Sequence, residues 1–465
     1  MTTRAEQGGA RRRSSVATAT AAIATARVAS LLLAAAQVPL LARLLPEDEF
    51  ALVPTTVQVA GLVGLVLADP AVLAFQRHPG SALDRVDYRW AVHRVLVGLA
   101  AGVVLLLSAG AAAGALLPAV AVAAWMLGTT ANRLAAVAWL AWGREWRYSG
   151  ALVASTTTRT LVLVVTVAVG GSATAALVTA GVASALLAVG LAPRTGPAAD
   201  EVDRPRRAST GLGTALATGQ LGVTMLGAAP LLSATITVGS AGSAALGASV
   251  QIASLVATCL NLVTTLAHPR LRRRWDDGDH AGVLESCRDL VLLCVAVGSL
   301  AVGVLTAGDL ALVRAVLPAG LVDARLVVLT VVAVTGTAVG LVGSWTHQFA
   351  LRRRRIVGAS VASAVVTVAA TLTGASCGGP LGAVLGGLCG VSCHTVLQAT
   401  RSGLVRAATV VPVTVLLVGA VVVVTAPGDA ATTWQVTAGA LAVATAVAVL
   451  LLCGRRHRSA SGLAP

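Results

Sequence analysis

Fourteen apolar runs, each of roughly 20 residues, follow one another along a chain of 465 residues with only short polar breaks between them. A helix needs about 20 apolar residues to cross the ~30 Å hydrocarbon core of a bilayer. The runs are 17–43, 51–75, 91–117, 118–142, 150–169, 172–192, 211–235, 243–268, 284–306, 325–350, 356–374, 380–399, 408–426 and 433–453. Hydrophobic residues make up 56% of the chain and charged residues 11%, against about 25% charged in a soluble domain. The expected class is therefore an all-α polytopic membrane protein with about fourteen transmembrane helices. The pair at 91–142 is expected to turn at Leu117-Pro118.

All 34 basic residues are arginines and the net charge is +15. The arginines stand in short clusters between apolar runs, which excludes a nucleic-acid partner and fits membrane topology instead. With the N-terminus in the cytoplasm, cytoplasmic segments hold 26 arginines and outer loops hold 3, namely Arg43, Arg314 and Arg325. That asymmetry requires an even number of spans and places both termini in the cytoplasm. Arg11–Arg13 followed by an apolar run looks like a signal peptide, but the run continues to Leu41 and is expected to be retained.

Thr56–Val63 (TVQVAGLV) matches Ser249–Val256 (SVQIASLV) at an offset of 193, which also carries Arg77 onto Arg270. Six spans separate the copies, so the repeats run parallel, in a pseudo-two-fold arrangement about the membrane normal. The expected organisation is an N-terminal six-helix lobe (1–192), a cytoplasmic linker (193–209), a C-terminal six-helix lobe (210–399), and an additional helix pair with a basic tail (400–465). The linker carries Pro193, Gly196, Pro197 and Pro205.

No segment is long enough to house a soluble catalytic domain. The longest outer loop, 307–324, holds Asp309, Arg314 and Asp323 and is expected to form a short interfacial helix. There is no GxxxxGK[ST] loop for nucleotide phosphates. The seven cysteines lie mostly inside apolar runs; Cys389 and Cys393, beside His394, are read as packing residues rather than metal ligands. A non-enzyme without cofactor or metal is expected.

Charges inside spans carry the functional reading, because charge in hydrocarbon is costly and usually has a role. Arg27, Arg133 and Arg159 lie nine or ten residues from the expected cytoplasmic ends of their spans, so about 14–15 Å deep. A common layer of three guanidinium groups, with Asn132 beside Arg133, suits an anionic headgroup: the planar fork of arginine binds phosphate in a bidentate manner. Snorkelling toward the surface is the competing reading. Asp69, before Pro70 in the second span, is either an ion-pair partner of an arginine or a titrating group that couples transport to protons. The second lobe has no mid-membrane arginine. Its His268, His347 and Gln348 are expected near the surface, and His394 deeper, bonded to a neighbouring helix.

The opening hairpin, with Arg43, Leu44, Leu45, Pro46, Glu49 and Phe50 at its turn, resembles that of the polysaccharide-export or O-antigen (Wzx-like) flippases of the MOP (MATE-like) transporter superfamily. Ala51 stands where that family usually has glycine. The resemblance implies a MOP-type fold, alternating access and a place in the bacterial cytoplasmic membrane. The substrate implied is a lipid-linked oligosaccharide on a polyprenyl diphosphate, carried across for polysaccharide or lipopolysaccharide biosynthesis, with membrane lipid and other glycan-assembly membrane proteins as partners. A MATE-like drug/cation antiporter would favour acidic rather than basic charges in the spans. A glycan polymerase or ligase would need a sizeable outer loop, which is lacking.

Overall fold

A backbone in hydrocarbon must satisfy its own hydrogen bonds, and an apolar run does so as a helix. The computed structural model, which describes residues 3–76, 85–141, 144–193, 206–307, 311–350 and 352–402, contains helices and no strand among those residues. In chain order they are α1 (Thr3–Leu44), α2 (Glu47–Leu67), α3 (Asp69–Gln76), α4 (Arg85–Ala112), α5 (Leu116–Ala141), α6 (Glu145–Ala168), α7 (Ala173–Leu191), α8 (Arg206–Asp276), α9 (His280–Ala307), α10 (Ala311–Val316), α11 (Ala324–Phe349) and α12 (Arg353–Ser402), with a 3₁₀ turn at Ala319–Leu321. Ten are long and apolar enough to cross a bilayer. Their exposed positions include Leu32, Leu96, Val104, Leu186 and Val365, an apolar surface suited to lipid and not to water.

Two of the ten are hairpins. In α8, Gly239 takes φ 78° and ψ 175°, outside the helical region, and the hydroxyls of Thr235 and Ser243 meet at 3.0 Å. Eight residues of straight helix would separate them by about 12 Å, so the chain reverses there. In α12, Gly379 has φ 57°, a left-handed conformation that glycine adopts without a Cβ penalty. Beyond it, Gly382 closes on Gly374, Gly386 on Ala370 and Gly390 on Thr367, the register of two antiparallel arms. The arms match the expected spans 211–235 with 243–268, and 356–374 with 380–399. The last two expected spans and the basic tail lie outside the described residues, as does the 194–205 linker segment, so a count of fourteen is not established.

The turn expected at Leu117-Pro118 falls at 113–115 instead. Pro118 occupies the first turn of α5, where its missing N–H has no helical partner to lose. Residues 311–321 do form a short helix and turn, and Asp323 caps α11 by accepting from the N–H groups of Arg325 (2.8 Å) and Leu326 (3.3 Å).

Two compact units emerge. The first comprises Met1–Leu40 and Val59–Ala217; the second comprises Leu41–Gln58 and everything from Thr218 onward. The segment 41–58 thus packs with the second unit. There Arg43 donates to the Ala315 carbonyl at 3.1 Å, Glu47 lies against Gly320, and Pro54 against Gly247. The apolar pattern carried no sign of that assignment.

Within each unit the fourth and sixth spans cross at glycines. In the first unit, Gly128 of α5 meets Gly181 and Ser184 of α7; in the second, Gly336 and Gly340 of α11 meet Val391 and His394 of α12. The third and fourth spans also touch alike, Gly102 on Met126 and Gly298 on Thr335. Small residues let membrane helices approach closely where no hydrophobic effect drives them together. Thr56–Val63 and Ser249–Val256 each lie in the second span of the six, consistent with a duplicated six-span plan.

Candidate functional site

The candidate site residues of the first unit sit on α1, α3, α5 and α6. Arg27 of α1 donates from Nη2 to the Tyr148 hydroxyl of α6 at 3.0 Å, while its Nε is buried without a partner. Ten residues further along α1, the Thr160 hydroxyl of α6 donates to Gln37 Oε1 at 3.1 Å. Both contacts advance in the same direction, so α1 and α6 run parallel, as their positions as first and fifth spans require.

Arg133 of α5 pairs with Asp69 at the start of α3. Asp69 is held there because α2 stops at Leu67 and Pro70 restarts the helix as α3. Its side chain is 7% exposed and that of Arg133 40%. Oδ1 of Asp69 has no hydrogen-bond partner among the described residues. The structure thus places Asp69 in an ion pair with an arginine. Arg159 of α6 lies with its guanidinium 5.6 Å from the Trp125 ring centroid of α5, a cation–π contact. Among the described residues no carboxylate pairs with it.

The three arginines do not share a depth. Measured from the end of the unit where α5 finishes and α6 begins, Arg27 is level with Tyr148 in the first turn of α6, ~5 Å in. Arg133 lies eight residues before the end of α5, ~12 Å in, and Arg159 fourteen residues into α6, ~21 Å in. They form a stair with steps of ~7 and ~9 Å instead of a layer. The counts from run edges erred because α1 is helical from Thr3 and α6 from Glu145, so the ends of the apolar runs do not mark equal heights.

Asn132 faces away from this stair. Its amide nitrogen donates to the carbonyls of Gly128 (2.8 Å) and Ser184 (2.6 Å) and to the Ser184 hydroxyl (2.8 Å), tying α5 to α7 at their glycine crossing. Tyr148, Trp125, Gln37 and Thr160 were not singled out from the sequence. Gln37 was visible as a lone amide in an apolar run; the aromatic partners became recognisable only once the helices were paired.

The second unit is quieter. His394 is bonded through Nδ1 to the Ser363 hydroxyl at 3.1 Å, the interhelical bond expected of it. His347 is buried within the unit at the end of α11, five residues before Arg352. His268 lies against the rings of Trp345 and Phe349.

Ten helices long and apolar enough to cross a bilayer, among the described residues, with an ion pair and two further arginines inside the first unit, define a multi-pass helical membrane protein. Solved structures with this fold include one described as the lipid II flippase MurJ in an inward closed conformation (TM-score 0.60, 9% identity, covering 95% of this chain and 99% of that one). An inward-facing multidrug-resistance MATE transporter of the MOP superfamily also matches (TM-score 0.55, 12% identity, 80% and 94% covered). So does a MATE protein in complex with MaD5 (TM-score 0.57, 14% identity, 84% and 96%). By sequence, no family and no curated protein matches. At these identities the likeness is one of fold.

Proposed function

We propose that the chain is a transporter, not an enzyme, that flips a lipid-linked oligosaccharide of the polyprenyl diphosphate type across the bacterial cytoplasmic membrane by alternating access, for polysaccharide biosynthesis. Both termini face the cytoplasm in this reading. The observation that carries it is the stair of Arg27, Arg133 and Arg159, three cations at successive depths in a unit whose fold is shared with a flippase and with drug transporters. A diphosphate crossing hydrocarbon needs counter-charge along its way, and steps of ~7–9 Å let it pass from one guanidinium to the next. Among the described residues Arg27 and Arg159 have no carboxylate partner, so they are the cations ready to accept a phosphate; Arg133 must first give up Asp69. Asn132 acts as a clamp between helices.

The MATE likeness and the buried Asp69 favour a second reading, a cation antiporter in which Asp69 is the substrate's counter-charge. Proteoliposomes loaded with a fluorescent polyprenyl-diphosphate saccharide or with an organic cation separate the two. The flippase reading expects movement of the first, lost by about tenfold or more in Arg159→Ala, as removal of a charge-assisted contact of ~1.5–3 kcal/mol implies. Full lipid flipping by the three single alanine variants would overturn the headgroup role, and transport of the cation alone would favour the antiporter.

A further inference from the structure

The second unit carries an arginine fringe that the transport reading does not use. α8 runs on past its apolar span, which ends at Thr264, and bears Arg270, Arg272, Arg273 and Arg274. The link between α11 and α12 bears Arg352–Arg355. Two of these eight are structural. Arg272 binds Asp276 (2.9 Å), donates to the Phe349 carbonyl at 3.2 Å and lies over the Phe349 ring. Arg274 holds Asp279 (2.6 Å) and donates to Ser286 at 3.0 Å. The Arg272–Phe349 bond joins the end of α8 to the end of α11, three residues before Arg352. Beneath, His268, Trp275, Trp345 and Phe349 pack ring against ring at 5.0–6.4 Å, so the two arginine clusters share a rigid base.

The other six, Arg270, Arg273 and Arg352–Arg355, are exposed and form no ion pair among the described residues. Of the three aspartates nearby, Asp276 and Asp279 are already engaged. Arg353–Arg355 open α12 with no acidic residue in its first turn, so their charge adds to the positive helix end. Their depth is the telling feature. The apolar window of α11 ends at Phe349 and that of α12 begins at Arg353, while Arg270 stands six residues, or ~9 Å, beyond Thr264. The Arg272–Phe349 bond holds both clusters at one end of the unit, just past the apolar spans, where the headgroup layer begins.

We propose that this end of the second unit is a binding surface for anionic phospholipid headgroups, whose phosphates are held by Arg270, Arg273 and Arg352–Arg355. Guanidinium forks grouped at one end of a helical unit suit the phosphates of a headgroup layer. A nucleic acid fits less well, because two of the aromatic rings that could stack on bases are enclosed: Trp345 is 2% exposed and Phe349 3%.

The test uses the full-length protein in a neutral detergent, titrated with short-chain phosphatidylglycerol, short-chain phosphatidylcholine or inorganic phosphate, with the thermal midpoint and Trp275-sensitive fluorescence as readouts. Phosphatidylglycerol should raise the midpoint saturably and phosphatidylcholine should not. Each Arg→Gln change should weaken the response about fivefold, and R352Q/R353Q/R354Q/R355Q should abolish it. The matching Arg→Lys variant should keep most of it, which separates lost charge from lost folding. An undiminished response in the Gln variant, equal action of phosphatidylcholine, an equal effect of inorganic phosphate, or displacement of the lipid by an oligonucleotide would each overturn the proposal. None of these outcomes depends on what the protein transports.

Discussion

Removing Arg133 should cost far more stability than removing its partner's charge, because the two are unequally buried. The Asp69 side chain is 7% exposed and that of Arg133 40%. Arg133→Ala strands a buried carboxylate that already has one oxygen without a partner, at a cost of about 3–5 kcal/mol. Asp69→Asn leaves an unpaired cation whose side chain is 40% exposed, and costs less than the stranded carboxylate. Asp69→Asn combined with Arg133→Ala removes both charges and should recover most of the loss. The coupling is then at least ~2 kcal/mol, well above the ~0.3–0.5 kcal/mol within which independent sites add. Thermal unfolding of the purified variants measures the stability side; lipid flipping in proteoliposomes measures the functional side. The headgroup role predicts a double variant that is stable yet inactive. Equal destabilisation by the two single changes would refute the burial argument. A stable double variant that flips lipid at the wild-type rate would refute the role assigned to Arg133.

Gly181→Ala should destabilise by about 1–3 kcal/mol, since the added Cβ would lie 2.5 Å from the backbone of Ala124; Gly190→Ala, with open space around it, should not, and a thermal scan of both decides. Outside the spans, the Asp279 carboxyl is held below the usual carboxylate range by the hydrogen bond from Arg274 and then by the Gly282 N–H. A folded-state value below the unfolded one contributes stability that is present at neutral pH and lost as the pH falls below about 4, so Asp279→Asn should flatten the acid limb of a stability–pH curve, and an unchanged limb would count against the contact. A reporter fused at Arg207 should read cytoplasm; an external signal would mean a miscounted span. Arg159→Lys should flip lipid faster than Arg159→Ala in the same vesicles, and equal rates would deny any part to the charge.

The sequence by itself determined the class and most of the span plan. Hydrocarbon thickness imposes a run of about 20 apolar residues per crossing, and such runs are read from composition without knowing any contact. Gly239 and Gly378-Gly379 fall between adjacent runs, so the hairpins of α8 and α12 were legible as breaks. Depth, partnership and unit assignment were decided only by the tertiary structure. Arg27 lies below Arg159 because of how α1 slides against α6, a shift that no count from a run's edge contains. Asn132 is turned toward Ser184, and Arg133 toward Asp69, because side chains one residue apart on a helix point about 100° apart, and only packing says which neighbour each will meet. The segment 41–58 belongs with the second unit because Arg43, Glu47 and Pro54 find Ala315, Gly320 and Gly247 there. In lipid an apolar face has no water to hide from, so the pattern of hydrophobic residues carries little information about which helix will be its neighbour.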